Sequence, residues 1–285
     1  MGHKKSLVRQ VFEKLQGMAA FGQSKHRDKL SNGGKAMPNK IYSHSTMKNY
    51  LDAATTFARW AREQHSCKTL EQAQLYTGDY LRYRMSGGNT CWTVSRDASA
   101  LAKLYQCKST DFGVKLPKRR RADVRKNRDS SNAKGFNAKK HSDLVDLCKA
   151  TGLRRHEVAA LRPEDVVRDG QGRVLVYVQQ GKGGKERTVV ALNDRPYQIA
   201  RTAQSEGRER VIERIPCRAP IHPLRHEFAR ELYHRLARDT ALLPKAEVYC
   251  CRADRAGIHY DKAAMRVVSE ALGHNRLDVV TNYLR

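Results

Sequence analysis

A strongly basic segment with few apolar residues divides this chain of 285 residues. It runs from Lys115 through two clusters of lysine and arginine to Gly135. Charge, polar side chains and glycine cannot build a hydrophobic core, and such segments usually form exposed linkers. Because the sequence on each side is long enough to form a domain, we predict a first domain at 1–115, a linker at 116–135 and a second domain at 136–285.

The first domain carries apolar residues at helical spacing. The clearest stripe repeats at intervals of three and four residues and contains Met47, Leu51, Ala54, Phe57 and Ala61. This spacing places all of its members on one face of a helix. Ser43 or Ser45-Thr46 could cap the start of this helix, and Thr77 could cap the start of another. We therefore predict a small all-helical bundle, and periodicity alone assigns it no ligand.

The second domain combines helical and extended patterns. Two runs rich in β-branched residues, at 173–178 and 186–192, flank Gly181-Lys182-Gly-Gly-Lys185. The arrangement predicts a β-hairpin with the glycine-rich segment at its tip. Beyond the hairpin the pattern is helical to the end of the sequence. The predicted fold class is thus mainly α with a small β-sheet, with an α+β second domain.

The charge of the chain points to a polyanionic partner. Lysine and arginine number 55 against 29 acidic residues, for a formal net charge of +26. Nucleic acid is the expected partner, since neutralising its phosphates releases condensed counterions. We predict that the linker contacts the DNA backbone, although a nuclear-targeting signal would have the same composition. The linker residues assigned to this contact are Lys118, Arg119, Arg120, Arg121, Arg125, Lys126 and Arg128.

The cysteines and the N-terminal sequence indicate a reducing compartment. The chain has 7 cysteines, an odd number, and none forms a Cys-x-x-Cys motif. The start, Met-Gly-His-Lys-Lys, lacks the apolar core of a signal peptide. No apolar run approaches the roughly 20 residues that span a bilayer. We expect a cytoplasmic protein with free thiols, no membrane association, and no disulfide or zinc site.

Some residues of the second domain suit chemistry on phosphate. Cutting a phosphodiester without a metal requires cations on the non-bridging oxygens, a nucleophile in line with the leaving oxygen, and an acid for that oxygen. Arg154 precedes a predicted helix, and His222 and Arg225 would share one face of another. A lone arginine in so basic a chain is most often a surface residue, and His-x-x-Arg is common. Neither motif therefore identifies an enzyme by itself.

Four segments in a fixed order carry a more specific signal. They are Thr151-Gly-Leu-Arg154-Arg-His-Glu157, Gly181-Lys182-Gly-Gly-Lys185, His222-Pro-Leu-Arg225-His226, and Leu272-Gly-His274 with Tyr283 nine residues later (283 − 274). Together they resemble the tyrosine recombinase, or phage-type integrase, family. The resemblance implies a helical core-binding domain followed by a catalytic domain, the two forming a C-shaped clamp around DNA.

The resemblance also implies a role for each matching residue. Tyr283 would attack the scissile phosphate, and Arg154 and Arg225 would hold its oxygens. Lys182 would protonate the leaving 5′-oxygen, with Lys185 as the alternative acid. The remaining roles are proton transfer, a hydrogen bond to phosphate, and orientation of neighbouring side chains, assigned to His222, His274 and Glu157 respectively. Tyr260 is the other late tyrosine that could act as nucleophile, and no metal, ATP or other cofactor is expected.

The function implied is that of a site-specific DNA recombinase of a phage or mobile element, acting through a 3′-phosphotyrosyl intermediate and a Holliday junction. Its expected partners are double-stranded DNA with inverted half-sites, three further copies in a synaptic homo-tetramer, and accessory DNA-bending factors. We expect a monomer in free solution and a cytoplasmic, nucleoid-associated protein. The alternatives are a type IB-like topoisomerase and a catalytically retired DNA-binding regulator.

The sequence departs from the family pattern in its last part. The segment between Arg225 and His274 is longer than usual, at 49 residues (274 − 225), and leaves room for an inserted hairpin near Cys250-Cys251. Only two residues follow Tyr283 (285 − 283), whereas many relatives continue into a helix that docks on the next protomer.

Overall fold

The computed structural model describes residues 5–35, 37–119, 135–181, 186–274 and 276–284, without the side chain of Asp254. The chain divides into two compact units, Met1–Asp123 and Val124–Arg285, and the division falls within the predicted linker. Helices predominate in both units, and the second also contains two small antiparallel sheets. The predicted fold class is confirmed. Across the described ranges, no helix is both long and apolar enough to cross a membrane.

The first unit is helical, as predicted. Its α-helices are α1 (Leu7–Gln16), α2 (Lys25–Ser31), α3 (His44–His65), α4 (Leu70–Gln74), α5 (Thr77–Ser86) and α6 (Cys91–Tyr105). The apolar stripe of α3 is buried around Phe57, whose ring lies 5.2 Å from that of Tyr80. Leu116, the first residue of the predicted linker, packs against this same core.

Two predicted helix caps had different outcomes. Ser43 caps α3, because its hydroxyl accepts a hydrogen bond from the backbone N–H of Thr46. The prediction for Thr77 was wrong. Helix α5 begins at Thr77 itself, and the Thr77 hydroxyl donates to the carbonyl of Gln74 in the preceding turn. The N-cap position belongs to Tyr76, and α5 has no side-chain cap hydrogen bond.

The second unit packs its helices around one apolar core. They are α7 (Ser142–Thr151), α8 (Arg155–Ala160), α9 (Arg195–Ser205), α10 (Ile221–Leu236), α11 (Lys262–Ala271) and α12 (Leu277–Val280). Gly152 ends α7 with a φ of +59°, and a Cβ there would lie 2.2 Å from Cδ1 of Phe228 on α10. Only glycine fits this turn. The turn brings Arg154 to the N-cap position of α8.

The main sheet has three antiparallel strands in the order β1 (Val166–Arg168), β2 (Val174–Val178) and β3 (Arg187–Val190). Strands β2 and β3 confirm the predicted hairpin, whose tip at 182–185 lies outside the described residues. Strand β1 was not predicted, since three residues are too few to show an alternating pattern. The alternate residues Val174, Val176 and Val178 face the core of the unit.

A second hairpin interrupts the segment between α10 and α11. Strand β4 (Val248–Cys250) pairs with β5 (His259–Asp261), with Tyr249 opposite Tyr260. The helical pattern therefore does not continue to the end of the chain, and the inserted hairpin expected from the length of this segment is present. Cys250 is exposed and Cys251 is buried.

Candidate active site

Tyr283 lies against one face of α10, near the start of that helix. Residues three and four apart lie on the same side of a helix, which brings His222, Arg225 and His226 together. The ring centroid of Tyr283 lies 5.8 Å from that of His222 and 4.7 Å from that of His226. The Arg225 guanidinium carbon lies 5.5 Å from the same centroid. The predicted sharing of a face by His222 and Arg225 is therefore confirmed.

The C-terminal segment brings Tyr283 to this face. Helix α12 ends beside Thr281, and the Tyr283 backbone N–H donates to the carbonyl of Val280 at 2.8 Å. The Tyr283 side chain is 8% exposed, and its hydroxyl lies 3.3 Å from Nε2 of His274. The phenol is thus surrounded by three histidines and an arginine of its own chain. That is an environment in which proton transfer and a developing negative charge could both be accommodated.

The two predicted phosphate-binding arginines converge on one oxygen. Arg154 Nη2 donates to the carbonyl of Leu272 at 3.0 Å, and Arg225 Nη2 donates to the same carbonyl. Arg225 Nη1 donates to the carbonyl of Gly152, the residue that shapes the turn before Arg154. Two guanidinium groups that meet at one acceptor could likewise stabilise the oxygens of a phosphate.

Arg225 is 1% exposed, and its Nε has no hydrogen-bond partner among the described residues. Burial, followed by repulsion from the Arg154 guanidinium, lowers the pKa of Arg225 to about 10. The side chain still carries its charge at neutral pH. A buried arginine with a spare donor gains from a nearby anion, because charge interactions are stronger away from water.

Glu157 is 3% exposed and forms ion pairs with Arg154 and Arg187. Arg154 Nη1 donates to its Oε1 at 2.8 Å, and Arg187 donates to Oε1 at 2.9 Å and to Oε2 at 2.7 Å. Burial raises the pKa of the Glu157 carboxyl, but the hydrogen bonds from Arg187 and Arg154 and their charges outweigh burial and lower it to about 2. The prediction that Glu157 orients its neighbours is consistent with this geometry.

Sequence reasoning missed two residues of this cluster. Arg187 lies 30 residues from Glu157, and its Nε also donates to the carbonyl of Ala271 at 2.9 Å. No local pattern connects residues at that separation. His226 was noticed only as part of a motif, although its position next to Arg225 on a helix could have shown that it shares the face of His222, four residues earlier.

The other predicted residues are placed as follows. Lys182 and Lys185 lie outside the described residues, between β2 and β3. In the linker, Lys118 and Arg119 are exposed. The remaining linker residues assigned to DNA lie outside the described residues and are Arg120, Arg121, Arg125, Lys126 and Arg128. Tyr260, the alternative nucleophile, donates its hydroxyl to the carbonyl of Leu284 at 3.3 Å, and burial raises its pKa.

We expect Glu157→Gln to lower the free energy of unfolding at pH 7 by about 3 kcal/mol, since it leaves two partly buried arginines without their buried carboxylate. The folded pKa of about 2 lies below the ordinary 4.5. The stabilisation is therefore complete above pH 4.5 and is lost as the pH falls toward 2. Denaturant unfolding of both proteins between pH 2 and 7 would measure this, with the difference shrinking in acid.

Glu231→Gln is the matched control for this prediction. Its carboxylate pairs with Arg235 at 2.8 Å on an exposed part of α10, so the expected change is below about 1 kcal/mol. If the free energy of unfolding depended on pH identically in wild type and Glu157→Gln, the pKa of the Glu157 carboxyl would not be lowered in the folded protein.

Comparison with known proteins gives a consistent assignment. Residues 129–285 match the model described as the phage integrase family. A curated integrase/recombinase of Sinorhizobium fredii is 30% identical over 148 residues, which cover 51% of this chain and 46% of that protein. The match thus spans about half the length of the relative.

The solved structure of a site-specific recombinase shows the same fold. The XerH site-specific recombinase, in a post-cleavage complex with a palindromic difH substrate, matches with a TM-score of 0.55 and 15% identity, over 98% of this chain and 90% of that one. The Tn1549 transposon integrase bound to transposon right-end DNA matches with a TM-score of 0.46 and 14% identity, over 99% and 95% of the two chains.

Proposed function

Because this chain belongs to the phage integrase family, we propose that it is a site-specific DNA recombinase that cuts and rejoins strands through a 3′-phosphotyrosyl intermediate. The observation that carries the proposal is the position of Tyr283. Its hydroxyl lies 3.3 Å from His274 Nε2, and its ring lies beside His222, His226 and Arg225 of the same chain. A tyrosine placed only for packing would not require four ionisable neighbours.

The proposed reaction begins at this hydroxyl. The Tyr283 oxygen attacks the scissile phosphorus and passes its proton to a neighbouring base, for which His222 is the assigned partner. A bond forms between this oxygen and phosphorus, and the bond from phosphorus to the 5′-oxygen breaks. The free 5′-hydroxyl of a partner strand then reverses the step, so the energy of the broken bond is retained in the phosphotyrosine.

Arg154 and Arg225 would stabilise the charge that grows on the non-bridging oxygens. Both arginines already donate to the carbonyl of Leu272. A phosphate oxygen would compete with that carbonyl for the same N–H donors. His274 would donate a further hydrogen bond to the phosphate. Glu157 and Arg187 would hold Arg154 in place through their shared ion pairs.

A lysine of the β2–β3 hairpin would protonate the leaving 5′-oxygen. We assign this role to Lys182, with Lys185 as the alternative. Lysine suits the task because neighbouring cations and loss of solvent bring the pKa of an ammonium closer to neutrality. The anchoring of β3 supports the assignment, since Arg187 at the start of that strand contacts both Glu157 and the end of α11.

The substrate would be double-stranded DNA with inverted half-sites, exchanged in a homo-tetramer through a Holliday junction, with accessory bending factors. The net charge of +26 supports DNA as the partner, and the exposed Lys118 and Arg119 are available to phosphates. We further propose that the protein serves a phage or mobile element, is monomeric when free, and acts at the nucleoid in the cytoplasm.

The test is covalent capture on a nicked duplex that carries a candidate attachment site, so that cleavage releases a short fragment and cannot be reversed. Trypsin would then give the peptide 277–285, in which Tyr283 is the only tyrosine, and the peptide 256–262, which contains Tyr260. We expect DNA on the first peptide, linked through a 3′-phosphate. Tight binding without an adduct on several sites would favour a DNA-binding regulator. Relaxation of arbitrary supercoiled plasmids without exchange between sites would favour a topoisomerase.

A further inference from the structure

The β4–β5 hairpin contacts the C-terminal segment on both sides of Tyr283. Arg255, in the loop of the hairpin, donates from Nη1 to the carbonyl of Thr281, two residues before Tyr283. Tyr260, on β5, donates its hydroxyl to the carbonyl of Leu284, one residue after it, at 3.3 Å. Both contacts are to backbone carbonyls, so they restrain the path of the chain whatever side chains it carries.

Hydrogen bonds of Asp261, at the end of β5, join the base of this hairpin to the neighbouring helices. Asp261 is 0% exposed, and its carboxylate accepts hydrogen bonds from Arg238 Nε at 2.8 Å and Nη2 at 2.9 Å. The same carboxylate caps α11 by accepting from the backbone N–H of Ala263 at 2.8 Å. The Asp261 N–H donates to the hydroxyl of Tyr233 on α10 at 2.9 Å. The hairpin is thereby joined to α10, which carries Arg225, and to α11, which leads to His274.

The segment that carries Tyr283 has little regular structure of its own. Helix α12 has four residues, and the chain then continues through Thr281 to Leu284 without a further helix or strand. A helix of one turn is not stable without tertiary contacts. The position of the phenol therefore depends on what holds the backbone around it, and Arg255 and Tyr260 provide side-chain hydrogen bonds there.

We propose that the β4–β5 hairpin positions the nucleophile, with Arg255 and Tyr260 as positioning residues that hold Tyr283 against Arg225 and the histidines of its own chain. This inference rests on the proposed function, and it makes cleavage a reaction in cis. A misplacement of the reacting atom by about 1 Å can slow a reaction on the order of 100-fold. The hairpin thus affects the rate of attack without touching the DNA phosphate.

Single-turnover formation of the covalent adduct tests the proposal. We expect Arg255→Ala to slow it between about tenfold and 100-fold, and Tyr260→Phe, which removes one hydroxyl, by about three- to tenfold. Arg252→Ala is the matched control, because Arg252 is an exposed arginine of the same hairpin whose side chain forms no hydrogen bond or ion pair with another described residue. The control carries the same loss of charge and should react within about twofold of wild type.

A second reaction distinguishes two possible roles of Arg255: positioning Tyr283 alone, or stabilising the whole active site. In a Tyr283→Phe chain, hydrogen peroxide can supply the attacking oxygen in place of the phenol. Adding Arg255→Ala to that chain should leave peroxide-dependent cleavage unchanged, although it slows attack by tyrosine. A parallel loss of both reactions, or no loss of either, overturns the proposal. A wild type that forms no adduct overturns the proposed function instead.

Hydrogen exchange at the backbone amides of 277–284 gives an answer independent of cleavage. We expect Arg255→Ala and Tyr260→Phe to speed exchange there, while exchange in the rest of the second unit matches wild type. If peroxide supports no cleavage in any background, this measurement decides. Unchanged exchange at 277–284 would mean that the hairpin does not hold the segment, and faster exchange throughout the unit would indicate a general loss of stability.

Discussion

Replacing Tyr283 by phenylalanine is expected to reduce covalent DNA cleavage by at least about a thousandfold, because it removes the oxygen that we propose attacks phosphorus. The change should leave the fold intact. The ring remains among His222, His226 and His274, and the hydroxyl that is lost lies 3.3 Å from Nε2 of His274. Affinity for a half-site should therefore stay within about twofold of wild type.

The measurement pairs adduct formation with a gel-shift titration on the same duplex. Tyr177→Phe is a suitable control, since Tyr177 is 43% exposed on β2 and is not part of the cluster around Tyr283. Normal binding with no adduct would establish Tyr283 as the nucleophile. An adduct that persists in Tyr283→Phe would place the nucleophile elsewhere in the chain, with Tyr260 the first residue to examine.

Replacing Arg225 by lysine should lower the cleavage rate by about 100-fold or more. Lysine keeps a positive charge, but its donors all lie on one nitrogen, which cannot occupy the separate positions from which Nη1 and Nη2 of Arg225 reach the carbonyls of Gly152 and Leu272. The site is also 1% exposed, so a flexible ammonium there would be poorly hydrated and poorly directed. We expect a smaller effect on DNA binding, because the chain keeps its formal net charge of +26 to attract phosphates.

A substrate with an uncharged methylphosphonate at the scissile position makes this prediction more specific. If Arg225 neutralises charge on a non-bridging oxygen, the deficit of Arg225→Lys relative to wild type should shrink on that substrate. Arg266→Lys on the exposed face of α11 is the control and should behave as wild type on both substrates. A deficit of equal size on the two substrates would mean that Arg225 acts by supporting the fold around Gly152.

Much of the candidate site could be predicted because its signals are local. The Thr-Gly-Leu-Arg segment requires a left-handed glycine at the end of α7 and so determines where Arg154 starts the next helix. His222 and Arg225 share a face because the helix repeat puts residues three apart side by side. The spacing between His274 and Tyr283 is short enough that little chain separates them. Resemblance to a family then assigned roles that the pattern alone could not.

Contacts between distant parts of the chain could not be predicted in this way. Glu157 pairs with Arg187, and Arg255 and Tyr260 contact the segment around Tyr283, in each case across more than 20 residues, with separations of 30, 26 and 24. Strand β1 and the exact start of α5 were missed for a related reason, since each depends on a partner strand or a preceding turn more than on its own residues.

The sequence by itself determined the mainly helical fold class, the hairpin of β2 and β3, and three of the residues that gather around Tyr283, namely His222, Arg225 and His274. The tertiary structure alone decided which carboxylate pairs with Arg154 and Arg187, and which side chains contact the backbone on both sides of Tyr283. The physical reason is that periodicity and turn chemistry describe interactions within a few residues. The burial of Glu157 and the restraint of Tyr283 arise only when helices and strands far apart in sequence pack against one another.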